Sequence, residues 1–382
     1  MKIKYLLIVF LSFLLTGCYD YNELNELAIA NGVAIDLIDN EYMISILVSN
    51  SHKNNSSNEE NQATTSLFHG KGKNLDEALT NLELTLPKKL YLGHVNIIII
   101  SEAYAKHGIY DLFDYFTRNP ELLKKMYLAI SKDVEAYKTL ATISPLEMFS
   151  SKNIISNIDT NNKEVGNTYP VLYSEALFKY VEQGFEFVIP TISLTGEKEE
   201  STKEENIKNP ITKSHLIILN LSAFKDDKFV LYTDDEESKG INILTNNIKK
   251  TEIIEKQFTA SINNVKCKVN FKLQDNKPII TINTEFSYKI VYVDKNYDIE
   301  SKNIQKEVNK TINKHIESYI NKALDLAIKN NTDVIGLGNK IYKNDPKYYN
   351  KNKDKYLQKI KFKININSEL ESSGEITKIK EN

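Results

Sequence analysis

The sequence predicts an α+β protein of more than one domain, built from mixed and antiparallel sheets with helices packed on them. Three observations carry that prediction. Residues 27–141 alternate short period-two apolar runs with amphipathic helical stretches. Residues 196–213 are dense in Glu and Lys and nearly free of apolar side chains, as a linker would be. Beyond them, 214–382 carries paired alternating runs, one long striped helix and a closing alternating run, which predicts an antiparallel sheet with a helix laid on it.

In chain order, 27–37 reads as a strand containing Gly32, and 41–49 alternates as its hairpin partner across Ile38-Asp39-Asn40. The polar run 50–63 is expected as an exposed loop, and 64–69 as a further strand. Asn74-Leu75-Asp76-Glu77 opens a helix as an Asn-x-x-Glu cap, with Leu75, Ala78, Leu79, Leu82 and Leu86 on one face and Pro87 as its stop. Then follow a strand at 94–101, helical segments through Ala105 and over 112–116, a strand at 126–131, and a helix at 133–141. An extended segment at 185–193 holds Pro190.

After the charged run, 216–224 turns at Asp226-Asp227 into 229–233, and a short helix is expected over 236–244. Residues 253–293 predict three or four strands, with turns at Asn263-Asn264 and Asp275-Asn276. The helix over 298–330 places Ile304, Val308, Ile312, Ile316, Ile320, Ala323 and Ala327 in one stripe. That stripe drifts from a 3.5-residue period, so it predicts packing on a sheet and not a coiled coil. A shorter helix over 333–342 ends before Pro346, and 360–366 alternates as a half-exposed final strand.

The amino terminus reads differently. Lys2 and Lys4 precede an apolar run over 5–15, which ends in Leu15-Thr16-Gly17-Cys18. Eleven residues of helix span about 16 Å, half a hydrocarbon core, so this is a leader and not a membrane span. Its ending is a lipobox, with Leu15, Thr16 and Gly17 read by the peptidase and Cys18 carrying a diacylglyceryl thioether. Two acyl chains on one sulfur give durable attachment, so the body is expected on the outer face of a membrane. The domain plan is therefore a signal peptide at 1–17, an N-terminal α/β domain at 18–195, a linker at 196–213 and a C-terminal α+β domain at 214–382.

Composition narrows the function. Lys plus Arg number 49 against 51 Asp plus Glu, a net charge of −2, so no basic field recruits nucleic acid. With Cys18 lipidated, Cys267 stands alone, which excludes a disulfide framework and makes it a small buried residue on a strand. The six histidines show no metal-ligand spacing, so no metal or cofactor is expected. His94 stands ahead of an Ile-rich strand without a nucleophile motif. Gly336-Leu337-Gly338 lacks the full pattern of a phosphate loop. The acidic pairs Asp234-Asp235 and Glu236-Glu237 fall in an expected turn. These residues predict a binding or assembly protein without catalytic activity.

Several segments, in order, carry a resemblance. Gly17-Cys18-Tyr19-Asp20 leads to Gly32-Val33-Ala34-Ile35-Asp36; Asn74-Leu75-Asp76-Glu77 leads to Leu92-Gly93-His94 and Asn119-Pro120-Glu121. Leu221-Ser222-Ala223-Phe224-Lys225 follows, then the long helix, Asp333-Val334-Ile335-Gly336-Leu337-Gly338, Pro346 and the closing strand. The chain resembles the C-subunit lipoproteins of spore nutrient-germinant receptors, the GerAC-like family. It departs from that pattern at Tyr19, Tyr349 and Tyr356, where the family commonly has Trp. The resemblance implies successive mixed α/β domains, no enzymatic activity and a place on the outer face of the spore inner membrane. It also implies integral-membrane A and B subunits as partners and a response to small-molecule nutrients. Of functional residues it carries over only Cys18. The alternative is a solute-binding lipoprotein of a transporter, with two lobes on a hinge.

Overall fold

The computed structural model describes residues 23–50, 64–119, 125–275 and 277–372. The first sheet begins with β1 (Leu27–Ile38) and β2 (Glu41–Ser49), joined at Asp39 and Asn40. Both turn residues have positive φ, 54° and 64°, the geometry of a two-residue hairpin turn whose twist matches its strands. β3 (Thr65–Gly72) extends the hairpin, and α1 (Leu75–Glu83) folds back over it. Asn74 caps α1 by accepting the Glu77 amide at 2.8 Å; the Glu77 carboxylate reaches back one residue further than expected, to the Lys73 amide.

The chain then crosses β1 and builds outward on its other side. β4 (Lys89–Tyr91), β5 (Ile97–Ser101), α2 (Glu102–His107), α3 (Tyr110–Arg118), β6 (Tyr127–Ser131) and α4 (Ala136–Leu140) follow. Next come α5 (Ser150–Glu164), β7 (Val171–Leu172), α6 (Tyr173–Val181) and β8 (Val188–Gly196). Strands β1, β5, β6 and β8 run parallel, and with β9 (Ser214–Lys225) and β10 (Lys228–Tyr232) the strand order is β10-β9-β8-β6-β5-β1-β2-β3. The middle of this sheet is buried on both faces. Val33, Ile35, Ile98 and Ile100 belong to one core cluster, whereas Ala34, Ile97 and Ile99 join Leu140, Ile154 and Ile158 in another. Helices covering both sides of parallel strands account for the Ile-rich run that shows no alternation.

The charged run 196–213 connects two neighbouring strands of this sheet. β9 (Ser214–Lys225) pairs antiparallel with β8, and β10 (Lys228–Tyr232) with β9. Within the run lie a 3-10 turn (Lys198–Glu200) and α7 (Glu205–Lys208); Ser201 and Asn206 are buried, and Asn206 holds Ser214 through two hydrogen bonds. Charge density marks solvent exposure, and a solvated hairpin loop satisfies it as well as a linker does.

The second sheet has the order β11-β12-β13-β14, from β11 (Lys250–Ile254), β12 (Phe258–Gln274), β13 (Lys277–Val293) and β14 (Lys361–Ser372). The three or four strands expected over 253–293 are the end of β11 and two strands of 17 residues each. Asn263-Asn264 is a bulge and not a turn: Asn264 has φ 53°, and the register slips between Asn263 and Lys266 while pairing continues. β14 adds in parallel to β13 because the chain first returns through helices, a connection long enough to cross over. Those helices are α9 (Lys302–Asn330), α10 (Leu337–Asn344), α11 (Pro346–Asn352) and α12 (Tyr356–Lys359).

α9 buries Val308, Ile312, Ile316, Ile320, Ala323 and Ala327 of the predicted stripe, whose first member, Ile304, is half-buried; the helix starts at Lys302, later than expected. Its partner is α8 (Asp235–Leu244), where Gly240 lies directly against the Tyr319 carbonyl. The fold is thus α+β, with two sheets and packed helices among the described residues. Helices α5 and α6 are absent from the sequence reading. α5 is rich in Asn and Ser, and its buried polar residues hide the apolar stripe.

Candidate functional site

The residues assigned a role from sequence, Leu15, Thr16, Gly17 and Cys18, lie outside the described residues. A 3-10 turn over Leu24–Glu26 leads directly into the buried central strand β1.

The Gly32-to-Asp36 spacing on β1 has a local cause. Residues 32, 34 and 36 share one face of the strand. A Cβ on Gly32 would lie 2.7 Å from Leu140 Cδ1, so glycine lets α4 lie close to the sheet. Asp36 caps the same helix: its two carboxylate oxygens accept the Ala136 and Tyr137 amides at 2.7 and 3.1 Å. Burial pushes the Asp36 carboxyl up to about 6, against the lowering effect of those amides. It lies at the carboxyl end of parallel strands, beside an open cavity of about 310 Å³ that Ser101, Ser131 and Glu135 also line. Ligands commonly bind at that position in α/β sheets. Here the carboxyl group is committed to a helix start.

A second buried acid organises the seam between the two sheets. Asp333 accepts the amides of Gly336, Leu337 and Gly338 at 2.9, 3.0 and 2.6 Å and the Tyr356 hydroxyl at 2.7 Å. The glycine run that resembled an incomplete phosphate loop therefore does bind an anion, which is the chain's own carboxylate. Gly336 has φ 81° and its Cα faces the Phe185 ring so closely that a Cβ would overlap it. Because Asp333 occupies these amides, α10 starts at Leu337 and not at 333.

The 182–186 segment is gripped from the same loop. The Asn339 amide nitrogen donates to the Gly184 carbonyl at 2.8 Å, and its side chain donates to the Gln183 carbonyl and to Glu182. The Glu186 amide donates to the Asp333 carbonyl at 3.0 Å, while its carboxylate accepts the Asp226 amide at 2.7 Å. Burial, reinforced by Asp226 and Asp333, pushes the Glu186 carboxyl up to about 8. A cavity of about 300 Å³ opens here, lined by Glu182, Glu186, Asp226, Asp333 and Asp354 with Lys225 and Lys353. Sequence reasoning named Asp36 and Asp333 only as letters of the resemblance, with no role for either, and passed over Glu186. The signal for Asp333 was an Asp followed by glycines three and five residues on.

A groove of about 990 Å³ runs between α1, α3 and β4. Leu75, Leu79, Leu90 and Leu92 form its apolar floor, and Asp76, Glu83, Asp111 and the Asp114–Arg118 ion pair its rim. The other residues singled out from sequence have structural partners. Asp234 and Glu237 form a reciprocal cap on α8, Asp235 pairs with Lys239, and Glu236 with Lys322. His94 is exposed with its ring edge-on to Tyr91. Cys267 is buried on β12, its thiol pushed up by that burial. Among the described residues no group of His, Cys, Asp or Glu is placed to hold a metal ion, and no helix is long and apolar enough to cross a membrane.

Comparison with known proteins gives the chain a class. The spore germination protein N-terminal domain matches residues 20–194, and the spore germination B3/GerAC-like C-terminal domain matches 220–374. Spore germination protein KC of Bacillus subtilis is 22% identical over 94% of this chain and 93% of its own length. GerQC of Bacillus cereus is 18% identical, over 97% and 99%. The crystal structure of the GerBC protein superposes with a TM-score of 0.55 at 18% identity, covering 92% of this chain and all of that one. The chain belongs to the GerAC-like family, the C-subunit family of spore germination receptors.

Proposed function

We propose that this chain is the lipid-anchored, non-enzymatic subunit of a spore nutrient germinant receptor. A diacylglyceryl thioether on Cys18 holds it to the outer face of the spore inner membrane, where it assembles with integral-membrane A and B subunits. The observation that carries this reading is the short distance between the lipobox and the fold. Only residues 19–23 separate Cys18 from the 3-10 turn at Leu24–Glu26, and five residues reach at most about 18 Å. A tether that short presents the body at the bilayer surface, within reach of membrane-embedded partners and at high effective concentration.

On the same reading residues 18–195 and 214–382 act as functional units, with 196–213 between them. Family membership sets aside the transporter-associated solute-binding alternative. In a sporulating host, deletion of the chain or Cys18→Ala is expected to abolish the nutrient response and lower the levels of the two membrane subunits. Normal germination with normal subunit levels would overturn the proposal.

A further inference from the structure

The outer edge of β14 carries a charge pattern that reads the same backwards with its signs reversed. Along the open face of the second sheet its exposed residues are Lys361, Lys363, Asn365, Asn367, Glu369 and Glu371. β13 occupies one edge of β14, and among the described residues no strand occupies the other. Over 361–371 that edge has no strand beside it among the described residues, which makes it a template for another strand. Natural edges are usually protected by charges that repel a second copy; this one has charges that attract it.

We infer that β14 pairs antiparallel with β14 of a second copy, about a two-fold axis through Ile366. In that register Lys361 faces Glu371, Lys363 faces Glu369 and Asn365 faces Asn367, each pair formed twice by symmetry. The half-buried opposite face agrees: Phe362 meets Leu370, Ile364 meets Ser368, and Ile366 meets itself. Directly opposed residues of an antiparallel pair share a face, so the polar and apolar rows match together. A one-residue slip would place the apolar row against the polar row, and parallel pairing would set Lys on Lys. Glu371 already touches Lys289 and Asn264, which fixes its side chain on the open face beside the slip in register at Tyr288. The contact is isologous and closes as a dimer with one eight-stranded sheet.

Charge exchange tests it on the full-length chain in detergent, with micelles in excess over protein. One variant carries Lys361→Glu with Lys363→Glu, the other Glu369→Lys with Glu371→Lys. Light scattering after size exclusion is expected to show a concentration-dependent dimer for the unaltered chain. Each variant alone should be a monomer, and their equimolar mixture should dimerise again. An unaltered chain that stays monomeric, which would leave the edge to a strand of another protein, overturns the inference; so do variants that keep the dimer. Should the variants fold poorly, Asn365→Cys mixed with Asn367→Cys leaves the charges alone. Mild oxidation should cross-link the mixture more than either variant by itself, and equal cross-linking in all three overturns the pairing.

Discussion

The Tyr356 hydroxyl lies 2.7 Å from the Asp333 carboxylate, inside a loop whose three backbone amides point at the same group. Burial, with Asp333 beside it, holds the Tyr356 phenol far above its usual range, so it remains a donor. Tyr356→Phe keeps the ring against Tyr349 and removes only the donor. It should lower unfolding free energy by about 1.5–3 kcal/mol, the worth of a hydrogen bond to a charged group, read as a lower urea midpoint at unchanged slope.

Glu186 makes this seam pH-dependent. Its carboxyl is raised from 4.5 to about 8, so between those values the native state holds a proton that the unfolded chain has released. Stability from this group is therefore complete below about pH 4.5 and lost as pH rises through 8. Glu186→Gln should flatten that decline, by on the order of 3 kcal/mol after allowing for partial solvent access. Chemical denaturation of both proteins across the window measures it; parallel curves would show that Glu186 titrates normally.

Gly240→Ala gives a prediction whose sign is informative. In an ordinary helix the change stabilises by about 1 kcal/mol. Here the added Cβ would lie 1.9 Å from the Tyr319 carbonyl oxygen, a backbone atom that cannot swing aside. α8 must then move off α9, and the variant should lose about 2–3 kcal/mol, visible as a lower thermal midpoint.

Much of this fold was legible because its signals are local. The Asn74 cap, the Asp39-Asn40 turn and the α9 stripe each follow from residues within one element. What escaped depends on partners distant in sequence. Asp36 caps a helix 100 positions away, and Asn264 has the letters of a turn while its neighbours keep strand pairing. α5 was lost because its buried Ser151, Asn153 and Asn162 read as surface. For the site, the glycines at 336 and 338 were visible, but the anion they hold could be found only once Asp333 was seen turned back upon them.

The account turns on the chemistry of one sulfur, and mass spectrometry of the amino-terminal peptide from spore membranes tests it most directly. The expected peptide begins at Cys18 and carries the mass of a diacylglyceryl group, with the chain in the membrane fraction. A peptide that begins elsewhere, or an unmodified Cys18 on a chain recovered in the aqueous fraction, would contradict it.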